Sequence, residues 1–309
     1  MLTLDRELLE RFEAGLDPQD LGASAVPAAL LGYGEISAIF QIGQDRDTAY
    51  KRMPLFSGRP AAEAYEAMYH EYCGLLAEAG LNLPATGTVV VEVPGRPVTL
   101  YIAQRLLPQD RFAHRLIQAR PPEEVRRLAG LILAEVGKVW RFCAARAPRL
   151  EIAIDGQLSN WVLAGEGGPE QGLLFVDTST PFIRKNGVHQ LDPDLILKAA
   201  PGLLRGLLKR LFAAEVLDRY YDPHKNMTDL AANLHKEQRP DLVPLFLEVI
   251  NRDLPPGIEP LTAKNVEDYY RQDKLIWTLF LGTRRMDRWV RTKVLGRRYE
   301  FILPGRIKR

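Results

Sequence analysis

The chain has 309 residues, of which 46% are hydrophobic and 26% are charged. That composition is typical of a globular protein and excludes a mainly disordered chain, and the length predicts two domains or one domain with two lobes. No stretch of the sequence approaches eighteen uninterrupted apolar residues, which disfavours a transmembrane helix. The two cysteines disfavour a disulfide framework and a zinc–thiolate cluster, and we expect a cytoplasmic protein.

The small net charge of +2 hides an uneven distribution along the chain. Residues 284–309 hold ten Lys and Arg residues against two acids, a net charge of +8, so residues 1–283 sum to −6. A basic end on an acidic body can meet an anionic partner or dock on the body itself. Apolar residues interleaved with the charges favour a packed end over a free nucleic-acid arm; they are Trp289, Val290, Val294, Leu295, Phe301, Ile302 and Leu303.

The first third of the chain mixes helical and strand patterns. Hydrophobic periodicity predicts helices over residues 4–16 and 60–80, and strands over residues 36–42, 48–53, 86–93 and 98–106. Gly80 is a typical residue just beyond the end of a helix, and the Pro-Gly pair within residues 94–97 predicts a hairpin between the last two strands.

Helical patterns dominate the rest of the chain. A long amphipathic helix is predicted over residues 123–147, a strand–turn–strand unit over 161–176, and further helices from Asp192 onward. We therefore predict an α+β fold with two lobes: a small β-rich N-lobe and a larger helical C-lobe with an embedded β-hairpin. The predicted units are an N-terminal helix and link (1–25), the N-lobe (26–107) and the C-lobe (108–309).

Two sites in the N-lobe suggest contact with phosphates. Gly32, Gly34 and Ser37 form a turn leading into a strand, where glycines let the backbone approach a phosphate, although such a turn is often only a turn. Lys51, on the next strand, can pair with phosphate oxygens if an acid holds it in place; otherwise it is a solvated lysine. Glu71, in the middle of the 60–80 helix, is our candidate for that acid.

Two sites in the C-lobe suggest a catalytic base and a metal site. Asp155 precedes Asn160 by five residues, a spacing typical of a loop in which the Asp accepts a hydroxyl proton and the Asn binds Mg²⁺. Asp177 follows an apolar strand and can bind Mg²⁺ through phosphates, or simply cap a turn. Each site alone is weak evidence for a nucleotide-binding cleft, but their order along the chain makes the combination stronger evidence.

The sequence resembles the protein-kinase-like fold, in particular its aminoglycoside phosphotransferase and choline kinase branch. The resemblance covers about residues 30–180 and rests on GYGEIS, AYK, LAEAGLNLP, IAQRLLP, DGQLSN and FVDTS. With the segments VDTSTPFIR and KEQRPDL, the whole chain resembles an uncharacterised bacterial family within that fold.

The resemblance implies a role for each site. Gly32, Gly34 and Ser37 would cover the phosphates of ATP or GTP, Lys51 would pair with Glu71, and the backbone at Gln104–Leu106 would hold the base. Asp155 would orient and deprotonate the acceptor hydroxyl, and Asn160 and Asp177 would bind Mg²⁺. These implied nucleotide-, metal- and acceptor-binding residues are Gly32, Gly34, Ser37, Lys51, Glu71, Gln104, Leu106, Asp155, Asn160 and Asp177.

Three departures from the family pattern bear on these roles. Ala153 stands where the family has a His that holds the backbone of the catalytic loop, which puts the loop geometry in question. Ser37 replaces the third glycine of the phosphate loop. Thr178 and Ser179 follow Asp177 in place of Phe-Gly, and no Ala-Pro-Glu motif comes later, which disfavours a protein substrate.

The nature of the acceptor stays open because two signals disagree. The region after residue 185 is rich in acids that could bind a cationic amine or sugar, or form a solvated helix face: Asp192, Asp194, Asp218, Asp222, Asp229, Glu237 and Asp241. The basic segment 284–309 instead favours an anionic acceptor, or a lipid or nucleic-acid surface.

Three hypotheses follow for the function. The first is an ATP- and Mg²⁺-dependent phosphotransferase acting on a hydroxyl of a small molecule. The alternative is a pseudokinase or nucleotide-binding regulatory module without turnover, motivated by Ala153 and Ser37. The third is a phosphoryl- or nucleotidyl-transfer enzyme that acts on a macromolecule through the basic segment.

Overall fold

The computed structural model describes residues 2–34, 36–165, 172–192, 195 and 217–304. Its N-terminal part is a five-stranded antiparallel sheet with strand order β1-β2-β3-β5-β4. The strands of this sheet are β1 (Ala28–Tyr33), β2 (Ala38–Ile42), β3 (Thr48–Phe56), β4 (Thr86–Val91) and β5 (Val98–Arg105). Tight turns join its hairpins, and Gly43 and Gly95 supply the positive φ that these turns need, at +62° and +76°.

Two helices cover the two faces of this sheet. Helix α1 (Arg6–Gly15) buries Leu9 and Phe12 against one face, where Phe12 meets the ring of Phe40 edge-on. Helix α2 (Arg59–Glu78) connects β3 to β4 and packs on the other face, toward the rest of the molecule. The chain leaves α2 through Gly80, whose φ of +91° is typical of a helix terminus.

The C-terminal part is mainly helical, as the sequence predicts. Its helices are α3 (Ala113–Ala119), α4 (Pro122–Ala144), α5 (Pro223–Lys236), α6 (Val243–Asp253) and α7 (Ala263–Trp289). Its strands are short and lie between α4 and α5: β6 (Leu150–Ile152), β7 (Trp161–Leu163), β8 (Leu173–Phe175), β9 (Ile183–Lys185) and β10 (Val188–His189). One hydrophobic core runs from α2 through α4 to α5 and α6.

This architecture confirms the predicted fold class. A five-stranded sheet with a helix between its third and fourth strands, followed by a helical lobe that carries a short hairpin, is the α+β bilobal protein-kinase-like fold. The hairpin β7–β8 pairs Trp161 with Phe175, as expected for the strand–turn–strand unit. None of the described helices is long and apolar enough to cross a membrane.

Some elements differ from the sequence prediction. Strands β1, β6, β9 and β10 were not predicted. Strand β1 carries no clear alternation of buried and exposed residues, and the other three are only two or three residues long. The turn predicted within residues 161–176 lies partly outside the described residues, and so does most of the helical region predicted between Asp192 and residue 216.

Within its described part, the basic C-terminal segment is partly packed and partly exposed. Residues 299–304 return to the N-lobe, where Tyr299 and Leu303 are buried and Arg52 donates to the Glu300 carbonyl at 2.8 Å. Trp289, by contrast, is 59% exposed, so it is not packed as the sequence predicts. Val294 and Leu295 are exposed as well.

Candidate functional site

Two adjoining cavities lie between the lobes. The first, of about 400 Å³, is bordered by the N-lobe sheet and the segment that follows β8. The second, of about 270 Å³, extends toward α5 and α7. Both are lined by the same six residues, which therefore mark their junction: Tyr33, Gly34, Lys51, Asn160, Asp177 and Ser179. Asp155 lines only the second cavity, and Gln104 and Leu106 line only the first.

The turn between β1 and β2 covers this junction. The Gly34 N–H donates to the Ser37 carbonyl at 2.9 Å, and a Cβ at position 34 would lie 2.5 Å from Ser37 Oγ. A side chain at position 34 would therefore require the Ser37 hydroxyl to rotate away. Gly32 lines the first cavity but has room for a side chain, since its nearest neighbour would be Ile39 Cδ1 at 3.6 Å.

Lys51 joins the N-lobe sheet to the segment after β8. Its Nζ donates to Asp177 Oδ1 at 2.9 Å and to Ser179 Oγ at 2.6 Å, and the Ser179 hydroxyl in turn donates to Asp177 Oδ1 at 3.0 Å. Ser179 was not predicted as a site residue. It aligns the lysine and the carboxylate, so a cation and a metal-ligand candidate from different lobes meet at one point.

The predicted ion pair between Lys51 and Glu71 does not form. Glu71 is exposed on α2 and pairs with Lys185 of β9 at 2.6 Å. The buried stripe of α2 passes through Tyr65, Tyr69 and Tyr72 at helical spacing, and Glu71 lies beside it. A position in the middle of a helix does not determine which face a residue occupies, and this was the weakness of the prediction.

Tyrosine hydroxyls take the place of that acid in linking α2 to the site. Tyr65 donates to the Ser179 carbonyl at 2.7 Å, and Tyr72 donates to the Ala153 carbonyl at 2.5 Å. Tyr69 accepts a longer bond of 3.3 Å from the Thr178 hydroxyl. The spacing i, i+4, i+7 of three tyrosines was the sequence signal that could have identified this face.

The loop that carries Asp155 is held by four side chains, one on each of four successive backbone carbonyls. Tyr72 binds the carbonyl of residue 153, Asn226 Nδ2 that of 154 at 2.8 Å, Asn160 Nδ2 that of 155 at 3.0 Å and Trp161 Nε1 that of 156 at 3.1 Å. The alanine at position 153 therefore does not leave the loop unsupported, since other residues perform the task that the resemblance assigns to a histidine.

Asp155 lies in an environment that disfavours its charge. Burial, together with the nearby carboxylates of Asp229 and Asp177, raises the pKa of Asp155 to about 8. The Gln157 N–H, which donates to Asp155 Oδ1 at 3.1 Å, opposes this shift. A carboxyl group with a pKa near neutrality is suited to exchanging a proton with a substrate.

A polar stripe on α5 supports the same loop and was missed by sequence reasoning. Asn226, Asp229 and Asn233 are all buried and follow one another at helical spacing. Gln157 Nε2 donates to Asp229 Oδ2 at 3.0 Å, and the Leu158 N–H donates to Asn233 Oδ1 at 3.2 Å. The alternative of a solvated helix face is therefore wrong for Asp229, which is 4% exposed.

Asn160 and Asp177 offer the oxygen ligands that a magnesium ion prefers. Mg²⁺ usually binds one or two protein oxygens together with substrate phosphates, so a carboxylate and an amide at the cavity junction fit this ion. Burial would raise the pKa of Asp177, but Lys51 and the hydrogen bonds from Ser179 outweigh it and hold the pKa below its usual value. Asp177 therefore stays negatively charged, as a cation ligand must.

The predicted base-binding backbone is only partly available. Gln104 and Leu106 line the first cavity, but the Leu106 N–H already donates to the Asp47 carbonyl at 2.6 Å. The Gln104 side chain donates to the Val176 carbonyl at 3.0 Å and so joins β5 to the segment after β8. Leu106 therefore contributes apolar surface to the cavity, and its N–H is not a donor for a base.

The second cavity has a mixed lining. It presents the cations Arg219 and Lys236 beside the carboxylate of Asp273, and Lys236 Nζ lies 3.2 Å from Asp273 Oδ2. Aromatic surface is added by Phe182, Tyr220 and Trp277. Neither of the two acceptor predictions, cationic or anionic, matches this lining by itself.

Most of the acids expected to bind a cationic acceptor have other roles. Asp218 accepts from Arg184 and His189, and Asp222 caps the first turn of α5. Asp241 pairs with Arg239 at 2.8 Å. Asp194 lies outside the described residues.

A family model matches residues 21–288, which includes every residue of this site. The chain belongs to the family of unknown function DUF6206. A comparison with the curated proteins finds no match for this DUF6206 protein.

Solved structures similar to the DUF6206 chain include a kinase-methyltransferase and an aminoglycoside phosphotransferase. WbdD, described as a bifunctional kinase-methyltransferase, is 14% identical over 81% of this chain with a TM-score of 0.33. The chain spans about half the length of WbdD, since the match covers 51% of that protein. The GDP complex of aminoglycoside 2'-phosphotransferase-IIIa is 11% identical over 73% of this chain and 91% of that one, with a TM-score of 0.34. A Stt7 homolog from Micromonas algae, soaked with ATP, is 15% identical over 91% of this chain and 81% of that one, with a TM-score of 0.40.

Proposed function

We propose that this protein is a phosphotransferase that moves the terminal phosphoryl group of ATP, or of GTP, to a hydroxyl of a small molecule. One observation carries the proposal: Lys51, Asn160 and Asp177 converge at the junction of two cavities, and Asp155 faces the second of them. The first cavity would hold the nucleotide and the second the acceptor. The donor and acceptor would then meet where the charged groups are concentrated.

The chemistry needs little from the protein beyond position and charge. Asp155 would accept the proton of the acceptor hydroxyl as its oxygen bonds to phosphorus and the bond to the leaving diphosphate breaks. Lys51 would contact phosphate oxygens, and Asn160 and Asp177 would hold Mg²⁺. The metal would supply neutralisation of the charge that develops on the phosphates.

The lining of the second cavity supports a compact acceptor that is polar on one side. Aromatic rings at Phe182 and Tyr220 stack on each other, with centroids 4.4 Å apart, and give one wall of the cavity a flat apolar surface. Arg219 and Lys236 supply donors that can bind hydroxyl, carboxylate or phosphate oxygens. A hydroxyl-bearing metabolite with a ring fits this combination.

A binding module without turnover is the second candidate function. Lys51 pairs directly with Asp177, and no acid of α2 competes for it among the described contacts. An inactive relative would show nucleotide binding that does not depend on a metal. The two candidates therefore differ in a measurable way.

The first prediction concerns metal-dependent nucleotide binding. We expect ATP or GTP with Mg²⁺ to raise the melting temperature of the wild type, because a ligand that binds only the native state stabilises it by about 2.7 kcal/mol at a hundredfold excess over Kd. The variant Asp177→Asn should lose most of this stabilisation, since it loses the charged metal ligand. A thermal-shift titration with each nucleotide, with and without Mg²⁺, measures both effects.

A matched control separates the metal site from a general charge effect. Asp268 is exposed on α7, away from both cavities, and Asp268→Asn should keep the full Mg²⁺-dependent stabilisation. Equal stabilisation in the wild type and in Asp177→Asn would contradict the metal assignment. Stabilisation by nucleotide without Mg²⁺ would favour the binding module.

The second prediction concerns the hydroxyl of Tyr72, a positioning residue for the loop of Asp155. Tyr72→Phe leaves the buried Ala153 carbonyl without its donor, and an unsatisfied buried group costs about 1–3 kcal/mol. We expect kcat, measured by the release of ADP, to fall by about 10-fold or more. The KM for nucleotide should change less, because the loop carries Asp155 and does not supply the phosphate contacts. Steady-state kinetics with an acceptor found by screening test this.

Tyr50→Phe is the control for this variant. Tyr50 is also buried, and its hydroxyl donates to Asp45 Oδ2 at 2.6 Å, but neither residue lines a cavity of the site. It should lower stability without changing kcat. If both variants lower kcat equally, Tyr72 acts only through overall stability.

A further inference from the structure

The second half of α7 and the turn that follows it carry a concentration of exposed apolar side chains. Among the described residues nine large hydrophobic side chains are exposed, and seven of them lie between residues 275 and 295. These seven are Leu275, Ile276, Leu279, Met286, Trp289, Val294 and Leu295. Contiguous apolar surface of this kind on a folded protein typically marks an interaction site.

The spacing of these residues places most of them along one side of α7. Leu275, Leu279, Met286 and Trp289 are separated by four, seven and three residues, so they follow a single stripe along the helix. Leu281, on another side of the helix, is buried. At 1.5 Å per residue the stripe is about 21 Å long. One turn of π-helix, Val290–Val294, continues it toward Leu295.

Cations accompany the apolar stripe at its C-terminal end. Residues 286–297 hold Arg288, Arg291, Lys293 and Arg297 against the single acid Asp287. Lys293 and Arg297 are exposed. Residues 305–309 of the sequence, which lie outside the described residues, add three more cations and no acid. The surface is therefore both apolar and strongly positive.

We propose that this basic apolar face, formed by residues 275–297, binds the surface of an anionic lipid bilayer, with α7 lying in the plane of the membrane. Helices that bind in this way combine an apolar stripe with Lys and Arg, and an aromatic ring such as that of Trp289 is favoured at the level of the headgroups. The apolar side chains enter the boundary of the acyl chains, and the cations meet lipid phosphates.

The positive charge of the face favours an anionic bilayer over a second copy of the chain as its binding partner. Two copies that paired through this face would bring the cations of residues 288–297 close to cations of the same sign, which is unfavourable. An anionic bilayer offers the opposite charge to these cations. This proposal is independent of the phosphotransferase function, since none of the seven exposed apolar side chains of the face and none of its four cations lines either cavity.

The test is co-sedimentation of the full chain with vesicles, at about 0.1 M salt, where charges are screened only beyond roughly 10 Å. We expect binding to phosphatidylcholine vesicles that contain about 30% phosphatidylserine, and at least tenfold weaker binding to pure phosphatidylcholine. The emission of tryptophan should shift to shorter wavelength on binding. That shift should vanish in Trp289→Ser.

Two double variants test the two components of the face. Met286→Ser with Trp289→Ser should abolish most of the binding, because it removes apolar side chains that are 55% and 59% exposed. Lys293→Gln with Arg297→Gln should weaken it by about 25-fold, since each cation near an anionic surface contributes about fivefold. All four positions are exposed, so unchanged melting temperatures should show that the variants fold.

Matched controls come from exposed positions elsewhere. Val188→Ser removes a side chain that is 63% exposed on β10, and Arg127→Gln removes an exposed cation on α4; both should bind vesicles like the wild type. Equal binding to neutral and anionic vesicles, or binding unchanged in both double variants, would overturn the proposal. So would a dimer in solution that Met286→Ser with Trp289→Ser converts to a monomer, because the occupant would then be a second copy.

Discussion

The variant Asp155→Asn should lose phosphoryl transfer while it keeps nucleotide binding. A positioned general base contributes about 10²- to 10⁴-fold to a rate, and an asparagine of the same shape cannot accept the proton of the acceptor hydroxyl. Asp155 lines the second cavity and not the first, so the contacts of the nucleotide should be unchanged. We expect kcat to fall by about that factor at an unchanged Kd for ATP.

The measurement combines turnover with nucleotide binding on one preparation. Release of ADP with a screened acceptor gives kcat, and the Mg²⁺-dependent thermal shift gives the affinity. Asp268→Asn, an exposed substitution on α7, is the control and should match the wild type in both. Residual turnover within tenfold of the wild type would remove Asp155 from the role of base.

The same substitution should make the protein without ligand more stable at alkaline pH. Because the native pKa of Asp155 is about 8 against 3.8 for the free side chain, the native state holds a proton that the unfolded chain has already lost. The wild type therefore loses stability as the pH rises from about 4 to about 8. Asn carries no charge, so the melting temperature of Asp155→Asn relative to the wild type should increase from pH 5 to pH 9.

Local signals were sufficient to predict the elements that surround the site. Gly80 marks the end of α2, and the Pro-Gly turn within residues 94–97 fixes the hairpin that α2 packs beside. The loop with Asp155 and Asn160, and the hairpin after it, were predicted from residues within those elements. Each of these features depends on neighbours in sequence, which a pattern can detect.

The supporting contacts of the site depend on distant residues and escaped prediction. Tyr72 binds a carbonyl 81 residues away, and Asn226 binds one 72 residues away. A buried polar side chain on a helix is visible in the sequence as a break in the apolar stripe, but its partner is not. Glu71 shows the converse, since an acid at a plausible position belongs to the wrong face of α2.

In the C-terminal segment, residues of similar composition are buried in one part and exposed in another. Glu300 and Ile302 dock on the N-lobe, whereas Trp289 and Leu295 are exposed, although all four are part of the same mixture of basic and apolar residues. Hydrophobic content alone predicted packing for the whole segment. Only the fold separates the side chains that find a core from those that do not.

The second large effect is expected for stability, at a buried ion cluster behind the N-lobe sheet. Arg52 Nε and Nη2 bind the two carboxylate oxygens of Glu13 at 2.7 and 2.5 Å, and Tyr101 also donates to that carboxylate, at 2.6 Å. Arg52 and Glu13 are 2% and 0% exposed. Glu300 completes the cluster with a contact of 2.9 Å to Arg52, so the cluster connects α1, the sheet and the C-terminal segment.

Glu13→Ala should lower the free energy of unfolding by about 3–5 kcal/mol, because it leaves a buried guanidinium with only Glu300 to compensate its charge. Glu10→Ala, on the same helix, removes an exposed pair with Arg6 and should change it by less than about 1 kcal/mol. Glu13→Leu with Arg52→Met should recover part of the loss, since an apolar pair of similar size avoids the desolvation of two charges while the Tyr101 hydroxyl still loses its acceptor. Urea unfolding of the three variants measures these differences. A double variant as unstable as Glu13→Ala would show that the position of α1, and not the unpaired charge, determines the loss.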